Sequence, residues 1–308
     1  AMAYWHFFPA ADGWGRVPVW GFANVARSRC AELAEGERVY GYLPMSTHLL
    51  VQPARVTPAN FVDASAHRAK LPAAYQQYRR CSGDPGYRRE FEDQQALLFP
   101  LYITSFLIED FLADNQLFGA RRVVLASASS KTALGLAFLL RRNRPDGCVV
   151  TGLTSARNRA FCQSTGYYDE VLGYEDVAQL PREAAVFVDM AGDGKLLHAV
   201  HHHYADALRH SCIVGATHWE QRSTQHALPG PKPQFFFAPD RIRKRAQDWG
   251  PGGIETRFAD AWRALLPSVA GWLQVTHARG ATEIEASYRD VLEGRAQPQQ
   301  GHILSFAR

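Results

Sequence analysis

The sequence predicts an α/β protein: a doubly wound parallel sheet with a smaller all-β unit ahead of it. Three observations carry this. Beyond residue 120, short apolar runs rich in β-branched residues alternate with runs at helical spacing. The stretch "VVLASASSKTALGLAFLL", Val123 to Leu140, passes from an apolar run through small polar residues into a second apolar run. The first 60 residues are instead rich in Gly, Pro and aromatics, with turn signals roughly every eight to twelve residues.

Taken in order, "GERVYGYLP" and "HLLVQP" read as short strands, and residues 61–90 as connecting loops with one short helix. From Glu92, "EDQQALLFPLYITSFLIEDFLADNQLFGA" reads as helix, with Pro100 as a kink or break and Gly119 as its stop. Strands are expected at 122–127, 148–153, 185–190 and 211–216, and helices at 131–142, 156–165 and 195–208. The tail from Arg241 to Leu273 reads as helical, "ATEIEASYRDVLEG" as a further helix, and "GHILSFAR" as a final strand.

Composition narrows the function. The 308 residues are 46% hydrophobic and 21% charged, a globular profile, and the net charge is only +4. The densest basic cluster, Arg241, Arg243, Lys244 and Arg245, is too short to track a phosphate backbone, so no nucleic-acid partner is expected. Cysteines 30, 81, 148, 162 and 212 form no C-x-x-C pair, which argues for a reducing compartment and against a thiolate zinc site. With no unbroken apolar run of about 18 residues and no leader at the start, a soluble cytoplasmic protein without a membrane partner is expected.

The turn after the first strand of the alternating region holds the chemistry. A helix N-terminus presents unpaired N–H groups, and glycines normally let a pyrophosphate approach them. Here Ser127, Ser130 and Ala133 stand at G-x-x-G-x-x-G spacing. Ser129, Ser130 and Thr132 add hydroxyl donors, and Lys131 adds a cation that the helix dipole disfavours unless an anion is near. The turn thus reads as rebuilt for phosphate; the competing reading is a serine-rich helix cap. The second strand ends in Thr154, Ser155, Ala156, Arg157 and Asn158, where an NAD enzyme would carry an acid for the ribose. Ser155 and Arg157 suit a 2′-phosphate instead, so NADP(H) is the expected cofactor. A capping Ser and a solvated Arg are the plainer alternative.

Together "GERVYGYLP", "PLYITSFLIEDFL", "GARRVVLASASSKTALG", "AVFVDMAG" and "CIVGATHW" resemble the medium-chain dehydrogenase/reductase superfamily, in its zinc-independent quinone and enoyl reductase branch. In detail "YWHFFPAADGWGRVPVWGF" and "SFLIEDFLAD" are similar to the uncharacterised family of domain of unknown function 2855. The resemblance implies a GroES-like β-barrel domain from residues 1–92 and 240–308, a Rossmann domain over 93–239, and a cofactor cleft. It places Ala191 and Gly192 under the cofactor, Thr217 and His218 toward the nicotinamide, and Phe236 and Phe237 in the strand beyond. By analogy it implies a homodimer. The first Rossmann strand starts earlier than this pattern leads one to expect, so the barrel is expected to be short at its N-terminus and turnover weak.

Such a reductase needs a hydride and a proton donor. Tyr40, Tyr42 and His218 are the candidate donors, and Thr104 is expected beside the cofactor. Asp63, His67 and Arg68 would line the cleft or cap turns. His198 and His202 stand one helical turn apart, yet no third ligand matches them, so a solvated face and no metal are expected. The leading reading is an NADP(H)-dependent reduction of a small carbonyl or activated double bond. The alternative is an NADP(H)-binding sensor or accessory protein without turnover.

Overall fold

Strands β1 (Pro18–Asn24), β2 (Arg38–Pro44), β3 (Pro53–Ala54), β4 (Asn60–Asp63) and β5 (Gln77–Arg80) form an antiparallel sheet in the order β1-β2-β5-β4-β3. The computed structural model describes residues 4–214 and 228–306. Strands β1 and β2 pair over seven residues, from Pro18 opposite Pro44 to Asn24 opposite Arg38. Alternation puts Val39, Phe61 and Tyr78 inside, where Phe61 and Tyr78 stack with ring centroids 5.3 Å apart.

The Asp63–Arg68 pair proves to be interior. Both residues are fully buried, with a guanidinium–carboxylate contact of 3.0 Å. Asp63 Oδ1 accepts from the Gln52 and Ser65 N–H groups, so it fastens turns. Arg68 Nε and His67 Nε2 both meet the Phe7 carbonyl oxygen, at 3.2 Å each.

Helix α1 (Glu92–Asp114) continues through Pro100 without a break. By length and composition it could cross a membrane, although polar residues interrupt its apolar runs; half of its most apolar window is buried in the fold. It ends in a left-handed turn, with positive φ at Gln116, Leu117, Phe118 and Gly119.

A six-stranded parallel sheet follows. Its elements are β6 (Arg122–Ala126), α2 (Lys131–Asn143), β7 (Val149–Thr154), α3 (Arg159–Ser164), β8 (Glu170–Gly173), β9 (Ala185–Asp189), α4 (Gly194–Tyr204), β10 (Leu208–Ile213) and β11 (Gln234–Phe235). The spatial order is β8-β7-β6-β9-β10-β11, which in order of appearance is 3-2-1-4-5-6. Strands β6 and β9 are buried at every position, as a parallel sheet covered on both faces requires. The chain closes with α5 (Ala238–Trp249), α6 (Gly253–Val269), β12 (Gln274–Arg279), α7 (Gly280–Leu292) and β13 (Gln300–Ser305).

Several expectations shift. Strand β10 starts three residues before the expected 211, β5, β8 and β12 were not anticipated, and the strand expected at Phe236 and Phe237 is β11, which ends at Phe235. The expected helix 156–165 opens with a 3-10 turn, Ala156–Asn158. Helix α4 stops at Tyr204 because Ala205 takes a positive φ. The chain divides into two compact units, residues 1–100, 275–296 and 300–308 in one, and 101–274 and 297–299 in the other. The tail helices α5 and α6, expected with the barrel, therefore group with the parallel sheet.

Candidate dinucleotide site

Strand order reverses between β6 and β9, so the crevice at their carboxyl ends is the place this topology offers a ligand. The turn after β6 lies there. Ser127 has φ +52°, a conformation that normally favours glycine, and its carbonyl accepts from the Ser130 N–H at 2.8 Å. Ser130 is the N-cap of α2, its Oγ accepting from the Ala133 N–H. Ala128 is fully buried, its N–H bonded to the Leu153 carbonyl on β7.

Two glycines that the expected spacing does not include make this turn fit. A Cβ on Gly152 of β7 would come within 2.8 Å of Ala128 Cβ. A Cβ on Gly135 would come within 2.8 Å of Tyr102 Cδ2 and 2.9 Å of Ser105 Oγ, both on α1. The glycine that allows close helix packing thus sits one turn into α2, two residues beyond Ala133. Ser105 Oγ also donates to the Thr132 carbonyl at 2.7 Å, fastening the first turn of α2 to α1. Thr104, half-buried, is its neighbour on α1.

Toward β7, Asn158 Nδ2 donates to Ser129 Oγ at 3.0 Å, while Asn158 Oδ1 is buried with no partner among the described residues. Ser155 follows the strand, half-buried, and Arg157 is exposed. Arg159 is engaged elsewhere, with Asp176 and the Val171 carbonyl. Beyond β8, burial pushes the Tyr174 pKa up, and the Ser127 hydroxyl and N–H beside it pull it down. Tyr174 went unrecognised in the sequence because four-residue β8 is too short to show a period.

Past β9, Asp189 is buried and its Oδ1 accepts from the N–H groups of Ala191 and Gly192, each at 2.9 Å. This fixes the loop on the far side of the crevice. Burial raises the Asp189 pKa against those two bonds. Lys131, the first residue of α2, donates from Nζ to the Pro298 carbonyl at 3.2 Å, and burial lowers its pKa.

The other candidates lie on other elements. Phe237, 52% exposed, caps α5 beside edge strand β11. Thr217 and His218 lie outside the described residues. Tyr40 and Tyr42 sit in the antiparallel unit, buried among Trp20, Tyr75, Phe7 and Phe8. The Tyr40 hydroxyl donates to the Gln95 carbonyl, and burial raises both phenol pKa values well above the usual range. His198 and His202 are exposed and stacked at 3.9 Å, and among the described residues no group of three His, Cys, Asp or Glu is placed to hold a metal.

Residues 1–297 match the family described as "Protein of unknown function (DUF2855)". No curated protein matches the chain. Among solved structures, CurK enoyl reductase superposes with a TM-score of 0.53 at 13% identity, over 93% of this chain and 78% of its own. The Bacillus subtilis protein yhfP with NAD bound gives 0.52 at 14%, over 94% and 80%. The yhdH oxidoreductase from Salmonella enterica in complex with NADP gives 0.49 at 13%, over 93% and 80%. At these identities the likeness to the first two is one of fold.

Proposed function

The chain belongs to the DUF2855 family and has the fold of the medium-chain reductases, and from that premise we propose that it is an NADP(H)-dependent oxidoreductase acting on a small carbonyl or activated double bond. The observation that carries the proposal is the Ser127–Thr132 turn, set at the reversal of strand order and flanked after β7 by an exposed Arg157. The residues fit the group. The N–H groups and hydroxyls of Ser129, Ser130 and Thr132 would hold the pyrophosphate, Ser155 and Arg157 the 2′-phosphate, and the unpartnered Asn158 Oδ1 would accept from a hydroxyl of the cofactor.

When bound, the dihydronicotinamide supplies a hydride. The chain's own task is then to exclude water and deliver a proton. His218 is the proposed donor. Tyr40 and Tyr42 are weaker acids than an exposed phenol, and the Tyr40 proton is already held by Gln95. For a partner we propose a second copy of the chain on β11, an edge strand of the sheet among the described residues, where Phe235 is 54% exposed. Light scattering of a Phe235→Lys variant checks it: that variant should be monomeric under conditions where the wild type dimerises.

Arg157→Ala tests the cofactor. The wild type should bind NADPH roughly ten- to a hundredfold more tightly than NADH, for a charge-assisted contact of about 1.5–3 kcal/mol. The variant should lose that preference and keep its NADH affinity, measured by fluorescence titration. Equal wild-type affinities refute the 2′-phosphate assignment. Tight binding without oxidation of NADPH by any enone, quinone or aldehyde would favour the sensor reading.

A further inference from the structure

Residues 297–299 are counted with the parallel-sheet unit although the chain on either side of them is not. Two backbone carbonyls hold this short strap. Gln299 accepts from the Gln274 N–H at 2.8 Å, and Pro298 accepts from Lys131 Nζ at 3.2 Å. Gln299 also borders a depression of about 380 Å³ floored by Phe161 of α3 and by Trp272.

Lys131 is an unexpected choice for its place. It is the first residue of α2, where the helix dipole opposes a cation, and burial further disfavours its charge. Both costs fall if an anion lies at the turn. A lysine on a flexible four-carbon stem would, unaided, range over many rotamers, and ordering one costs up to about 2 kcal/mol. The Pro298 carbonyl removes part of that freedom before any ligand arrives.

We propose that the 297–299 strap is a positioning element for the cofactor site: its Pro298 carbonyl holds the Lys131 ammonium in place for the pyrophosphate, so dinucleotide affinity depends on a segment that touches no phosphate. This rests on the dinucleotide reading above. Linkage is reciprocal, so the bound anion tightens the strap as the strap tightens the anion.

A double-mutant cycle on the full chain is the test, with NADPH dissociation constants for the wild type, Pro298→Gly, Lys131→Met and the double variant. Pro298→Gly keeps the carbonyl and loosens the strap. It should weaken NADPH binding roughly threefold to tenfold in the wild-type background and leave it unchanged in the Lys131→Met background. Equal effects in both backgrounds overturn the proposal, since a loosening that acts only through stability would persist without the lysine. A second arm needs no ligand: Lys131→Met should speed amide exchange at Gln297 and Gln299 in the cofactor-free protein, and unchanged exchange overturns the tether. A wild type that binds neither NADPH nor NADH overturns the dinucleotide reading itself, which the exchange arm does not probe.

Discussion

Glu109 shows how a single side chain can be read only in its surroundings. It lies on α1, 8% exposed, accepting from Asn143 Nδ2 at the end of α2. Burial, aided by the Asp110 charge, pushes its pKa up to about 7, against the Asn143 bond and the Arg142 charge. A carboxyl raised in the folded state keeps its proton where the unfolded chain has lost it. Stability therefore falls as pH rises from about 4.5 to about 7, by roughly 3 kcal/mol at most, and the penalty persists above that window. Glu109→Gln keeps an acceptor for Asn143, so its melting temperature should exceed that of the wild type at pH 8 and match it near pH 4. In the sequence Glu109 is one polar residue in "FLIEDFL", with nothing to separate it from Asp110 beside it. The serines of the turn were legible as the link between β6 and α2, because residue type and spacing mark where the strand ends and the helix begins. Asn158 and Tyr174 were not, because their roles come from contacts across 29 residues, to Ser129, and across 47, to Ser127.

At the level of elements, the fit of α2 on α1 is set by Gly135. Alanine is the better helix former by up to about 1 kcal/mol, but its methyl would meet Tyr102 and Ser105. Tyr102 is 1% exposed and its hydroxyl is held by the Ala261 carbonyl, so it cannot yield. Gly135→Ala should therefore destabilise by about 1–3 kcal/mol, read in a urea titration, and should weaken dinucleotide binding as the turn is displaced. Helix α5 docks on α1 by a different device. Arg241, buried, pairs with Asp110 and Asp114, and Arg245 reaches both of the same carboxylates. Arg241→Met strands buried charge, and the loss should fall toward the low end of the roughly 3–5 kcal/mol typical of broken buried pairs, because Arg245 still faces Asp110. The periodicity of the alternating strands and helices predicted the parallel elements closely. It missed β8 and β11, of four and two residues, because so short a strand has no period to show.

For the whole molecule, a ligand that binds only the folded state stabilises it by mass action: about 2.7 kcal/mol at a hundredfold excess over its dissociation constant. NADPH should raise the melting temperature accordingly, and NADH less. The division of the chain shows where sequence patterns stop. Alternation placed the sheets, but nothing in "RIRKRAQDWG" announces which unit α5 joins, since that depends on carboxylates more than 120 residues earlier. The cysteines have a consequence of another kind. Cys81, Cys148, Cys162 and Cys212 are all buried, and burial raises their thiol pKa values, to about 11 for Cys81 and Cys162 and about 12 for Cys212. Activated double bonds are also alkylating agents, because thiolates add to them as nucleophiles. A chain that handles such acceptors needs its sulfurs protonated and out of reach, and these four are. Under native conditions an enone or iodoacetamide should therefore label Cys30 alone, as peptide mass spectrometry would show, leaving the protein chemically tolerant of the electrophiles proposed as its substrates.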